Sequence, residues 1–350
     1  MDFSLFFFAD SGGSAAEADS YRLLLDSARF ADTHGFTAVW TPERHFHSFG
    51  GLYPNPAVTG AAVAAVTERV GIRAGSVVAP LHHPARIAEE WSVVDNISGG
   101  RVGVSFASGW HARDFVLRPE NYTARKDALL ETVDTVRRLW RGEQAEFPDG
   151  NGEKRAVRIF PAPVQPQLPV WITSAGSPDT FESAGRLGAG VLTHLLGQDV
   201  TALAENIARY RQAYAQTRGD GSRGHVALML HTLLGTDRDR VREQVREPFT
   251  DYLRSSVDLI VKAASGLLPP GLDVNRLPEQ DKEFLLAHAF DRYFTTSGLF
   301  GSVPDGVGTV RALEAIGVDE VACLIDFGVP HDEVLTSLGH IAELRRTLTA

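Results

Sequence analysis

The sequence predicts an α/β chain folded as one (β/α)8 TIM barrel over residues 1–350, and three observations carry that expectation. Short apolar runs alternate with helical patterns along almost the whole chain; eight such pairs can be counted; and the runs are nearly continuously apolar, as strands covered on both faces must be. Alternation at this length favours a parallel sheet, and eight units favour a closed barrel over an open doubly wound sheet.

The pairs follow in order. FSLFFF (3–8) precedes a helical stretch, AEADSYRLLLDSARFADTHG (16–35), closed by Gly35. TAVW (37–40) leads to a helix expected to start near Asn55 and Pro56, with proline at the first helical position. VGIRAGSVVA (70–79) is followed by PARIAEEWSVVDNISGG (84–100), and RVGVSFA (101–107) by NYTARKDALLETVDTVRRLW (121–140). PVWITS (169–174), GVLTHL (190–195) and HVALMLHTLLG (225–235) each run into a helical tract, and EVACLIDFG (320–328) precedes the last helix. Two segments exceed a plain barrel. Residues 141–169 form a polar excursion rich in glycine and proline, with a hairpin expected around 156–160, and the tract at about 248–304 contains GLLPPGLDVNRLP. Neither is large enough for a domain of its own, and long insertions in a compact fold usually act as lids or binding loops.

Composition narrows the function. A net charge of −10 argues against a nucleic-acid partner, which needs a basic surface to displace counterions. The single cysteine, Cys323, excludes a disulfide framework and any cysteine-based metal cluster. No apolar run reaches the roughly 18 residues of a membrane helix, and the opening MDFSLFFFADSGG makes a poor signal peptide, so a cytoplasmic protein is expected. No GxGxxG follows a strand and no Walker sequence occurs, so the usual phosphate loops of dinucleotide and triphosphate folds are missing.

In such barrels chemistry sits at the C-terminal strand ends. Those ends offer Glu43, Arg44, His45 and His47 after strand 2, His82 and His83 after strand 3, and Ser105, Ser108, Trp110, His111 and Asp114 at or beyond strand 4. The later strands add TSAGS (173–177), His194, His231 and Asp326. The SAGS turn runs straight into a helix, where unpaired N–H groups and the helix dipole suit a phosphate. An ordinary cap, Ser177 followed by Pro178, would read the same way. The pair His45-x-His47 with His194 and Asp326 resembles the metal sites of hydrolase barrels. There, however, the HxH pair lies on strand 1, which here ends in FFFADS, and no metal is expected.

Three spans carry a resemblance to a known family: GFTAVWTPERHFHSFGG, GSVVAPLHHPARIAEEWSVVDNISGGRVGVSFASGWHARDF and PVWITSAGSPDTFESAGRLGAGVLTHL. Together they resemble the luciferase-like flavin monooxygenases from residue 1 to about 215, and the likeness resumes at VGTVRALEAIGVDEVACLI. ERHFHSFGGLYPNP is most similar to a branch that works with polyketide and nonribosomal-peptide assembly lines. The resemblance implies a barrel that binds reduced FMN and uses O2 as cosubstrate. It places the phosphate and ribityl chain at Ser174, Ala175, Gly176, Ser177 and Thr180, with Glu43, Ala107, Asp114 and Thr193 near the ring. Gly75 and Ser76 match a non-proline cis peptide under the ring.

The sequence departs from the family at three positions. Arg44 replaces a catalytic histidine, Ala107 a reactive cysteine, and Ser108 an arginine that contacts the phosphate. Light emission from an aldehyde is therefore not expected, and FMN should be held loosely. His45 becomes the expected general acid/base, since its imidazole titrates near physiological pH; Arg44, always charged, is expected to clamp an anion or steady a peroxide. The expected activity is oxygen insertion into an acyl, aminoacyl or other natural-product intermediate, carried on an acyl or peptidyl carrier protein. A separate flavin reductase would supply the cofactor to a homodimer. Two other readings remain at this level: a deazaflavin (F420)-dependent dehydrogenase on the same barrel, and a catalytically silent flavin-binding protein.

Overall fold

The computed structural model describes residues 1–8, 17–47, 52–254 and 278–349. In chain order the strands are β1 (Asp2–Phe6), β2 (Ala38–Thr41), β3 (Gly71–Val78), β4 (Val102–Ala107), β5 (Ala145–Pro148), β6 (Lys154–Val157), β7 (Val170–Ser174), β8 (Gly190–His194), β9 (Val226–Gly235), β10 (Leu299–Ser302) and β11 (Glu320–Leu324). The helices are α1 (Glu17–His34), α2 (Pro56–Ala64), α3 (Pro84–Ser98), α4 (Arg125–Trp140), α5 (Pro178–Arg186), α6 (Val200–Arg218), α7 (Arg238–Arg254), α8 (Glu279–Thr296), α9 (Val303–Ala315) and α10 (His331–Thr349).

Eight parallel strands close on themselves in the order β1-β2-β3-β4-β7-β8-β9-β11, with β11 returning to β1. All eight C-terminal ends therefore share one rim, the (β/α)8 barrel expected from the alternation. Every residue of β2, β11 and the first nine of β9 is buried, which is why these runs show no polar alternation.

Local chemistry sets the helix ends. The Asn55 side chain accepts from the Ala57 and Val58 N–H groups and Pro56 opens α2, as expected. His83 caps α3 through the Ala85 N–H, and Gly99, at φ 69°, closes it.

Two expectations need correction. The hairpin in 141–169 is formed by β5 and β6, paired Ala145↔Val157 to Pro148↔Lys154, so it spans 145–157 and reaches only the first two residues of 156–160. Its turn is PDGNG (148–152), where the Asp149 carboxylate accepts from the Asn151 and Glu153 N–H groups; that turn signal lay in the sequence. The 248–304 tract also begins inside α7 rather than after it. It contains α8 and the short β10, which pairs in parallel with the second half of β9 from Leu299↔Thr232 onward and stays outside the closed barrel. Residues 255–277, which include most of GLLPPGLDVNRLP, lie outside the described residues, as do 48–51 of the ERHFHSFGG motif.

The N-terminal end of the barrel is filled by a charged cluster. Glu320, fully buried, accepts from Ser4 Oγ, Trp40 Nε1 (2.9 Å) and Arg73 Nη1 (2.7 Å). The Arg73 guanidinium lies over the Trp40 and Trp171 rings, 4.9 and 4.6 Å from their centroids. Burial pushes the Glu320 carboxyl up, but Arg73, His225 and Ser4 outweigh it and hold it below the usual carboxylate range. This end is closed, and the open end is the one that carries the site.

Candidate active site

A cavity of about 330 Å³ opens among the C-terminal strand ends. Part of its wall is apolar, with Phe6 at the end of β1 and Phe8 just after it, Leu129 and Leu130 from α4, and Leu192 and Met229 from β8 and β9. The rest includes the polar groups Glu43, Ser76, Ser108, Thr173, Ser174, Thr180, Ser183 and Thr193. A volume of this order with few convergent polar groups is the usual form of a cofactor site.

Glu43 is the anionic group at the strand 2–3 side of this wall, and it is completely enclosed by hydrogen bonds. Its Oε1 lies 2.7 Å from His45 Nε2 and 2.6 Å from His82 Nε2, while Oε2 accepts the Val78 N–H at 2.7 Å. Burial pushes the carboxyl up, yet the two histidines and the Val78 N–H together hold it below its ordinary value. Burial likewise lowers His82, but Glu43 and Glu90 prevail and raise it. Each shift favours the charged form, carboxylate on Glu43 and imidazolium on His82. Among the described residues, Glu43, His45 and His82 are the one group whose possible metal-binding atoms lie within 4.8 Å of one another. His47, His194 and Asp326, the other members of the hydrolase-like set, are not part of it.

Two residues expected to face the reaction do not line the cavity. His45 reaches it only through Glu43, and Arg44 is paired elsewhere: its Nη1 lies 2.7 Å from Asp114 Oδ2, with both side chains buried. Its guanidinium also sits 5.0 Å from the centroid of the Trp110 ring, which does line the cavity. A cation so neutralised has less charge to offer an anion. Asp114 is not on the wall either. Phe46, between the two histidines, is the one described non-glycine residue with a positive φ (54°), a conformation found disproportionately at functional sites.

The SAGS turn forms the opposite end. Ser177 starts α5 with no side-chain capping bond and Pro178 at the first helical position, so the cap leaves its hydroxyl uncommitted. Ser174, Ala175 and Thr180 line the cavity; Gly176 and Ser177 lie just behind it. Gly176 holds φ 104°, and a Cβ there would come within 3.2 Å of Gln198. Gln198 and Asn206 brace the turn: Gln198 Nε2 donates to Thr193 Oγ1 at 2.9 Å, Asn206 Nδ2 to the Gly176 carbonyl at 3.2 Å, and Thr193 Oγ1 to the Ser174 carbonyl at 2.8 Å. Lys126, from the second residue of α4, is the one cationic side chain on the wall among the described residues. Ser108 lines the same wall. Asp179 also lines the wall and opposes Lys126 in charge.

Between the two ends, the Gly75–Ser76 peptide is cis, as the family likeness implied. A Cβ on Gly75 would come within 2.6 Å of the Phe6 ring, so only glycine fits this bend of β3. Ser76 Oγ and Ser105 Oγ both share hydrogens with Thr173 Oγ1, the latter at 2.7 Å, tying β3, β4 and β7 together beneath the cavity. Ala107 and Ser108 line the wall here.

Sequence reasoning placed most of these residues, missed the partner of one and missed three outright. His82 was visible as a strand-end histidine, but nothing in its spacing pairs it with Glu43. Lys126 sits in an amphipathic helix and reads as a solvated face, and Gln198 and Asn206 lie beyond the strand ends where chemistry was sought.

Parallel closure and a cavity at the C-terminal strand ends, beside a helix start with no side-chain cap, define a barrel with a ligand-sized site on that rim. The chain belongs to the luciferase-like monooxygenase family, whose model matches residues 1–324. It is 26% identical over 356 residues to the oxygenase component of the flavin-dependent trigonelline monooxygenase of Acinetobacter baylyi, covering 97% of this chain and 92% of that one. Its fold matches the oxygenating constituent of 3,6-diketocamphane monooxygenase from Pseudomonas putida in complex with FMN, with a TM-score of 0.77, 18% identity and coverage of 98% and 97% of the two chains. An F420-dependent secondary alcohol dehydrogenase shares the fold at a TM-score of 0.69 and 16% identity, covering 98% of each chain. These two structural likenesses show the fold alone; the family membership makes the chain a flavin-dependent monooxygenase.

Proposed function

We propose that this chain is the oxygenase of a two-component system that takes reduced FMN from a separate flavin reductase and uses O2 to oxygenate an acyl, aminoacyl or other natural-product intermediate, presented on a carrier protein. The single observation that carries the FMN reading is the uncapped, braced turn at Ser174 to Ser177 on the same cavity as Glu43 and Lys126. The sizes and donors fit the cofactor. The turn and Lys126 would hold the phosphate, with Ser174, Thr180 and Thr193 along the ribityl chain and Gly75, Ser76, Ala107 and Ser108 beside the ring. The name of the trigonelline relative, an oxygenase component, supports the separate reductase.

Reduced FMN, when bound, supplies the electrons that activate O2, a reaction no side chain could perform. The chain contributes the rest. Phe6, Leu129, Leu192 and Met229 keep water from the ring. Glu43 holds a proton-accepting oxygen at the wall, and His45 and His82 fix its orientation from behind. Arg44 and Asp114 brace the loop that carries Glu43 rather than meeting substrate. The family's dimeric assembly is carried over as part of this proposal.

The test is oxygen uptake with reduced FMN and with reduced deazaflavin. Uptake and formation of oxidised FMN support the monooxygenase; turnover of the deazaflavin alone, with oxygen untouched, would replace it by a hydride-transferring dehydrogenase.

A further inference from the structure

Glu43 separates two cavities. On its inner side is the large one; on its outer side, between β3 and α3, is a second of about 10 Å³ lined by Glu43, Asn55, His82 and Glu90 with Val77, Ile87 and Trp91. That is room for about one water molecule, and the four polar groups are enough to bind it. His82 spans the partition. Its Nε2 meets Glu43 Oε1 at 2.6 Å, and its side chain is 26% exposed, whereas Glu43 is not exposed at all. Glu90, the other acid of the small cavity, is 23% exposed and paired with Arg86 at 2.7 Å.

We propose that His82 delivers protons to this site, passing them from the outer shell of the barrel to Glu43 on the cavity wall. The inference rests on the monooxygenase reading and adds a proton entry that is separate from the mouth through which cofactor and substrate must come. The chemistry requires a proton from solvent. Reduction of O2 to hydrogen peroxide takes two electrons and two protons: anionic reduced FMN supplies the electrons and one proton, and the other must come from solvent. A route through the outer shell would bring that proton in without water crossing the apolar part of the cavity.

In the relay the His82 imidazolium gives its Nε2 proton to Glu43 Oε1, the carboxylic acid releases that proton into the cavity, and the neutral imidazole is recharged from solvent at its exposed edge. No bond other than these N–H and O–H bonds changes. The groups that set the charge of His82 come from three elements: Glu43 and His45 from the loop after β2, Glu90 with Arg86 from α3, and Arg118 with Glu120 from the segment beyond β4. The two acids nearest it favour the charged form and Arg118 opposes it. His45 lacks the second cavity and is a positioning residue for Glu43.

Two measurements on the full chain test this. In the first, imidazole ¹⁵N shifts of His82 are followed against pH without cofactor. The relay predicts a midpoint above that of a free histidine, falling toward it in Glu43→Gln; an ordinary midpoint indifferent to Glu43→Gln overturns the proposal. In the second, the rate of O2 consumption by protein-bound reduced FMN is compared in wild type and His82→Gln, whose amide can still donate to Glu43. The variant should bind FMN as wild type does, lose rate by about 10- to 100-fold, the lower part of the general acid/base range, lose the alkaline limb of the pH profile, and recover rate as imidazole buffer is added. An unchanged rate and profile, or a slow variant that no imidazole buffer accelerates, reduces the pair to a structural contact. A wild type that does not oxidise reduced FMN at all defeats the functional reading instead, and the titration then decides the His82–Glu43 coupling by itself.

Discussion

Arg44 and Asp114 form a buried ion pair, Nη1 to Oδ2 at 2.7 Å, with side-chain exposures of 2% and 7%. Four residues of the ERHFHSFGG motif are thereby assigned: Glu43 to the cavity wall, His45 behind it, Arg44 to Asp114, and Phe46 to a left-handed turn. Removing the acid leaves a buried guanidinium without its carboxylate. Asp114→Asn should lower stability by about 3 kcal/mol, the scale for breaking a buried pair from one side, as read by chemical denaturation. A variant as stable as wild type would mean that Arg44 finds its charge partner elsewhere.

Because Glu43 and not His45 lines the cavity, the larger catalytic loss should follow the acid. Glu43→Gln should retain FMN binding and lower oxygenation by about 10²- to 10⁴-fold, the range for a general acid/base, with hydrogen peroxide released in place of product. His45→Ala should keep FMN binding and lose less. A greater loss in His45→Ala, measured by coupled product formation, would put the histidine at the reaction and the acid behind it.

The Glu43–His82 pair should imprint a pH dependence on stability. His82 is raised above its ordinary value, so its contribution is complete below about pH 6.5 and is lost as pH rises through the folded-state value. Glu43 is lowered, so its contribution is present above about pH 4.5 and is lost as pH falls through the folded-state value. The pair therefore stabilises most between those limits. Thermal midpoints across pH 4 to 9, on the order of one point per half unit, should show a smaller difference between wild type and Glu43→Gln at the alkaline end than at pH near 6.

At the other end of the barrel, Glu320→Gln leaves Arg73, half-buried between two tryptophan rings, without that counter-charge. A loss of about 3 kcal/mol is expected, with FMN affinity unchanged, since the cluster lies away from the cavity. Equal loss of FMN binding in the folded variant would contradict that separation.

The sequence made the barrel legible because its strands are buried on both faces and its helices carry caps at their starts, as at Asn55 and Pro56. The SAGS turn was legible for the same reason: small residues, a serine and a proline mark the entry to α5. The contacts behind the wall were not. His82 and Glu43 lie 39 positions apart and meet only because β2 and β3 are neighbours in the barrel. Arg44 and Asp114 are 70 apart and are joined across the same rim. Spacing in a chain reports faces of helices and strands, not which loops of a barrel touch, so the motif put forward His45, Arg44 and Glu43 together and left to the fold which of them lines the cavity.

The central claim is that a reduced flavin occupies this cavity with its phosphate at the SAGS turn and reacts there with O2. It is tested most directly by titrating wild type and Gly176→Glu anaerobically with reduced FMN and then admitting O2. The new side chain adds volume against Gln198 and a negative charge beside the phosphate, at a residue whose φ of 104° disfavours any side chain. The account predicts that wild type binds reduced FMN and consumes O2, and that the variant, folded, binds more weakly by about 1–3 kcal/mol, the scale of a lost charge-assisted hydrogen bond. Equal FMN affinity in the two proteins would move the phosphate away from the turn and contradict it.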